Sequence, residues 1–132
     1  YEAAWTLERL LPAVRRPGSP ESKDPDAYAS IAAAYEVQLL SLMQHTGAMD
    51  TLDAIKGMAE ARDAALDLEM DAYARAVAAC GADAGCQERK ARWTGKLTGL
   101  YKQRHGGSDG GVDELIKGAL GRPMPGGTTD KR

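Results

Sequence analysis

The 132-residue chain has no phenylalanine, and its aromatic side chains are five tyrosines and two tryptophans. So few rings exclude a core built on large aromatic side chains. Alanine stands in their place, in Ala32-Ala33-Ala34, Ala64-Ala65 and Ala78-Ala79. Alanine is the strongest helix former and lets helix axes approach closely. The β-branched residues are scattered singly and never alternate over a strand length, which argues against a sheet. Long hydrophobic runs are also missing. The stretch from Val37 to Met43 is far shorter than the about 20 apolar residues a membrane-crossing helix needs, so no membrane insertion is expected. Nor does charge of one sign dominate. With 17 basic and 19 acidic residues, the balance does not advertise a nucleic-acid or anionic-membrane surface.

What is present is helical periodicity. A first helix is predicted from about Glu2 to Val14, with Trp5, Leu7, Leu10, Leu11 and Val14 on one side. Pro12 inside it predicts a kink or an early end. A second is predicted to start at Asp24-Pro25-Asp26, which offers a capping side chain, a proline suited to the first turn and a favourable charge. Tyr28, Ile31, Tyr35, Leu39 and Leu42 follow at steps of three and four. The third and longest runs from about Asp50 to Cys80, with its apolar face interrupted near Arg62 and Asp63. A fourth reaches Arg104, and a short fifth spans Val112 to Leu120. Short connections at 45–49 and 81–85 force antiparallel neighbours. The expected fold is all-α: an antiparallel up-down helical bundle of three to four main helices plus a short C-terminal helix. It forms a single domain over residues 1–120, with a flexible connection at 15–24 and a disordered tail at 121–132.

Cys80 and Cys86 flank Gly-Ala-Asp-Ala-Gly between the third and fourth helices. A helix end, a glycine turn and a helix start bring two Cα atoms within the roughly 6 Å that a disulfide needs. We therefore expect a disulfide, and with it a compartment outside the reducing cytosol. The spacing is not that of a redox-active C-x-x-C pair, and no further ligands stand near for zinc.

Catalytic and cofactor patterns are missing. There is no G-x-S-x-G, P-loop or dinucleotide glycine fingerprint, and no Glu-x-x-His for a helical di-metal site. His45 and His105 read as helix-end residues that complement the C-terminal dipole, so neither a metal nor a cofactor is expected. The third helix is rich in carboxylates. Asp63, Asp67 and Asp71 step by four and, with Glu60, form an acidic stripe. The fourth helix carries Arg89, Lys90, Arg92, Lys96, Lys102 and Arg104 against Glu88 alone. Opposite charges on consecutive antiparallel helices predict pairing across their seam.

The expectation is a non-enzymatic protein–protein interaction module of the bacterial cell envelope, periplasmic or secreted. It would be a secretion-system component or an inhibitor or immunity protein. Its partner is another protein, contacted through Trp5 or through Glu60, Asp63, Asp67 and Asp71. The alternative is a cytosolic helical regulator that binds nucleic acid through the basic fourth helix. A third helix of about 45 Å, longer than a short fold covers, leaves room for a homodimer.

Overall fold

The computed structural model describes residues 2–44 and 51–125, and these are all-helical with no strand. Five α-helices follow in order: α1 (Glu2–Arg15), α2 (Pro25–Gln44), α3 (Leu52–Cys80), α4 (Gln87–Arg104) and α5 (Val112–Gly118). Short 3-10 turns lie at Glu21–Lys23, Ala84–Cys86 and Ala119–Gly121. The helical bundle read from the periodicity is present. His45 and the expected loop at 45–49 lie outside the described residues.

Local signals place most boundaries. The Asp24 carboxylate accepts the Asp26 backbone N–H at 3.0 Å and so caps α2. The Thr51 hydroxyl accepts the Ala54 N–H at 3.1 Å at the start of α3. Gly81 ends α3 at a φ of 51°, a conformation that disfavours side chains with a Cβ. The early end expected at Pro12 does not occur, and α1 continues to Arg15. Pro12 is exposed, while Leu7, Leu10, Leu11 and Val14 on the other side are buried. Their packing outweighs the hydrogen bond that proline cannot make.

The α1–α2 connection is more structured than its Pro-Gly-Ser composition implies. Ser19 is buried and donates to the Ala13 carbonyl at 2.6 Å. Its Oγ accepts the Ser22 N–H, and the Tyr28 hydroxyl donates to the Ser22 carbonyl at 2.7 Å. Serine side chains here replace the backbone partners that a helix would supply.

The second half of α3 is the axis of the molecule. Every residue from Glu69 to Val77 is buried. α2 makes the most extensive pairing with α3, and α4 packs along α3. α1 lies on α2, while α5 and the turn after it pack on α3. Ile31, Leu66, Val77, Cys86 and Leu97 are among the most completely buried side chains. Cys80 and Cys86 form a disulfide with a Cα–Cα separation of 5.7 Å, clamping the end of α3 to the start of α4.

Residues 121–125, assigned to a disordered tail on composition, are tied to α3. The Arg75 Nη2 donates to the Arg122 and Pro123 carbonyls at 3.0 and 2.9 Å. The Arg122 Nη2 donates to the Asp71 carboxylate at 3.1 Å. Asp71 also accepts from Arg75 Nε at 2.6 Å, and both side chains are nearly buried. Composition favours disorder here, but guanidinium–carbonyl bonds from Arg75 and Arg15 and the Arg122–Asp71 pair anchor these residues.

Two stability differences follow. Asp71→Ala leaves Arg75 buried without its carboxylate and should cost about 3 kcal/mol or more, whereas Asp67→Ala, at an exposed pair, should cost less than about 1 kcal/mol. Chemical denaturation of both variants checks the contrast, and equal losses would contradict it. Replacing Cys80 and Cys86 by Ser removes a small-loop constraint worth about 2 kcal/mol and should lower the melting temperature by several degrees.

Candidate functional site

α4 ends level with the middle of α3, because Arg104 near its C-terminus pairs with Asp67 at 3.1 Å. Beyond that level, α3 back to Leu52 has α2 as its main helical neighbour. Burial shows the same boundary. The last buried residue of α2 is Leu39, and the first of α3 is Leu66. The far ends of these two helices therefore form an arm that projects from the enclosed body.

The arm is apolar where a solvated hairpin would be polar. Among the described residues seven large hydrophobic side chains are exposed, and four belong to the arm: Leu40, Met43, Leu52 and Ile55. Leu52 is 80% exposed and Ile55 52%. Scattered exposed leucines are normal on a protein surface, but a cluster of large side chains at one end marks an interaction surface. Leu42, Met58 and Ala59, partly buried between the two helices, hold the arm together.

The residues expected to contact a partner separate in the structure. Trp5 is 58% exposed on α1, with the Arg9 guanidinium 4.8 Å from its ring centre. Glu60 is exposed on the arm, and Asp63 is paired with Arg62 at 3.6 Å. Asp67 is engaged by Arg104, and Asp71 is buried between Arg75 and Arg122. The continuous acidic stripe is therefore not one surface. Its C-terminal end is an internal ion pair, because the chain beyond α5 returns over it.

The basic residues of α4 pair mainly with a different helix than expected. Arg89 lies 3.3 Å from Asp26 and Lys96 lies 3.4 Å from Glu36, both on α2. Among the described residues, Arg104 is the α4 cation that forms an ion pair with α3. Lys90 donates to the Gly81 carbonyl at 2.7 Å, capping the end of α3. α4 runs in the same direction as α2, so acids and bases in matching order along the two helices meet.

One ionisable group is held against its preference. Glu69 is 2% exposed, and its Oε1 has no hydrogen-bond partner. Burial, and then the neighbouring Glu36 carboxylate, push its pKa up to about 7, with Lys96 opposing. Tyr73 beside it is pushed up to about 12 by burial and by the same two carboxylates. The sequence contained the signal. Glu69 falls three residues after Leu66 and four before Tyr73, in a row of core positions.

A buried carboxyl of this kind serves acid–base chemistry only where substrate reaches it. Glu69 lines none of four clefts formed by the described residues. One of these, about 830 Å³, lies between α3, α4 and α5 and is walled by Leu68, Met70, Tyr101 and Leu115. His105 stands at its edge, with its ring 4.2 Å from that of Tyr101. Among the described residues no three His, Cys, Asp or Glu side chains group as metal ligands. No helix among them is long and apolar enough to cross a membrane. Comparison with protein-family models, curated proteins and solved structures gives no match.

The raised Glu69 pKa makes stability depend on pH. Below about 4.5 the carboxyl is protonated in both folded and unfolded chains, and its burial is not opposed by charge. Between about 4.5 and about 7 the unfolded chain releases the proton first, so stability falls as pH rises. Glu69→Gln should remove this decline. Its melting temperature should lie several degrees above the parent at pH 8 and converge with it at pH 4. A difference independent of pH would mean that Glu69 is not destabilised by ionisation.

Proposed function

We propose that this chain is a non-enzymatic protein–protein interaction module of the cell envelope, periplasmic or secreted. The observation that carries the reading is the apolar arm, where Leu40, Leu52 and Ile55 remain exposed at one end of an otherwise enclosed bundle. A partner would lay an apolar helix face against the two arm helices, the common way in which helices recognise one another. The Cys80–Cys86 disulfide supports an oxidising compartment. A secretion-system component and an inhibitor or immunity protein both fit this description. Each acts by occupying a surface on another protein and needs no catalytic group.

The enclosed body then serves as a rigid mount. The clamp at one end of α3 and the buried ion pair near its middle hold the helix whose other end carries the contact residues. Binding energy at such surfaces concentrates in a few large side chains. Leu40 and Ile55 are the candidates, with Trp5 a separate exposed ring on α1. Glu60 and Asp63 would lie at the polar rim, where charge guides encounter more than it adds affinity.

The test is capture from an envelope extract of the native host, with the cysteines oxidised. The double variant Leu40→Glu with Ile55→Glu should lose a specific protein that the parent captures, while its melting temperature stays within a few degrees because both positions are exposed. Retention of that protein by the double variant would remove the arm from the account. Recovery of nucleic acid that is released steeply with salt would favour binding through α4 instead.

A further inference from the structure

We propose that the cleft between α3, α4 and α5, on the enclosed body and away from the arm, binds a small organic amine whose cationic nitrogen is carried on an apolar, ring-sized body. The cleft has a volume of about 830 Å³, within the range of small-molecule sites. Its walls are apolar where the body of a ligand would rest, with Leu68 and Met70 on α3 and Leu115 on α5. Tyr101 and His105, one turn apart on α4, add two rings whose centres are 4.2 Å apart. Flat apolar groups stack on such rings, and a cation is drawn to their faces.

The recess is shaped around a glycine. Gly111 stands at the start of α5 with a φ of -106°, a conformation open to any residue. What this glycine supplies is room, because the Tyr101 hydroxyl occupies the position that a Cβ at residue 111 would take. The Tyr101 ring therefore lies against the start of α5 and joins the α4 wall to the α5 wall. The chain beyond α5 closes another side through Arg122 and Pro125.

The charges on the walls select the sign of the ligand. Arg122 is the one Lys or Arg among the described lining residues, and it is already engaged. Its Nη2 donates to the Asp71 carboxylate at 3.1 Å and its Nη1 to the Leu115 carbonyl at 3.4 Å. Asp71 is shared with Arg75, and Asp67 is engaged by Arg104. That leaves Glu114, exposed on the α5 wall, which forms no ion pair among the described residues. Asp109 and Asp113, exposed beside the start of α5, extend the same acidic edge. Lys102 and Lys117, close to these residues in the chain, do not line the cleft. An anion placed here would face the acidic edge. An amine gains a charge-assisted hydrogen bond to Glu114 while its body covers Leu68 and Leu115.

The experiment is isothermal titration of the full chain with three probes of similar shape: 2-phenylethylamine, 2-phenylethanol and phenylacetate. The amine should bind one-to-one with a Kd of about 1 mM or tighter. It should bind at least about threefold more tightly than the alcohol, the scale of an exposed ion pair, and phenylacetate should bind least. Glu114→Gln should abolish the advantage of the amine over the alcohol and leave the melting temperature within a few degrees of the parent. Glu88→Gln removes the same charge at the far end of α4 and should leave amine binding unaltered. Four results would overturn the proposal: the amine shows no saturable binding, the alcohol or phenylacetate binds as tightly, Glu114→Gln keeps the advantage of the amine, or Glu88→Gln weakens the amine as much. The cleft is separate from the arm, so none of these results depends on capture of a protein through Leu40 and Ile55.

Discussion

Everything else in this molecule is arranged around the closed environment of α3 between Glu69 and Val77. Nine consecutive residues of one helix are buried, and four of them are ionisable: Glu69, Asp71, Tyr73 and Arg75. A helix enclosed on every side must be apolar all round or must find partners for each polar group. Here the two solutions are mixed. Asp71 and Arg75 bind each other and draw the chain beyond α5 over them. Glu69 lacks a partner at one oxygen and holds its proton more tightly instead. The alanines at 72, 74 and 76 have no accessible surface, which lets the surrounding elements come close.

That enclosure divides the 29 residues of α3 into two parts with different roles. The C-terminal part is fixed by α2, α4, α5, the disulfide and the returning chain end. The N-terminal part has the far end of α2 and little more of the described structure beside it. Apolar side chains there gain nothing from the core, yet Leu52 and Ile55 keep the helical spacing of core residues. Such a pattern lowers solubility unless a partner covers it.

Much of the fold was legible because local chemistry and long-range packing agree. Asp24-Pro25 and Gly81 mark ends that the backbone obeys, and the steps of three and four through Tyr28, Ile31 and Tyr35 mark a buried face. The break at Arg62 and Asp63 was visible, and it coincides with the start of the arm. Asp71 was misread because its spacing from Asp63 and Asp67 describes one helix in isolation. Which side of a helix meets solvent depends on what returns to cover it, and the cover comes from residue 122. The partners of α4 were misassigned for a related reason. Neighbours in sequence suggest α3, but the direction of α4 matches α2, and ordered ion pairs form there.

Native-state hydrogen exchange along α3 tests this division directly. In the isolated protein, amides from Glu69 to Val77 should exchange only through global unfolding and show the full stability of the domain. Those from Ile55 to Arg62 should exchange through local opening, faster by orders of magnitude, with the change falling near Leu66. Uniform slow exchange along all of α3 would contradict the account, because it would mean that the arm is already covered as firmly as the body.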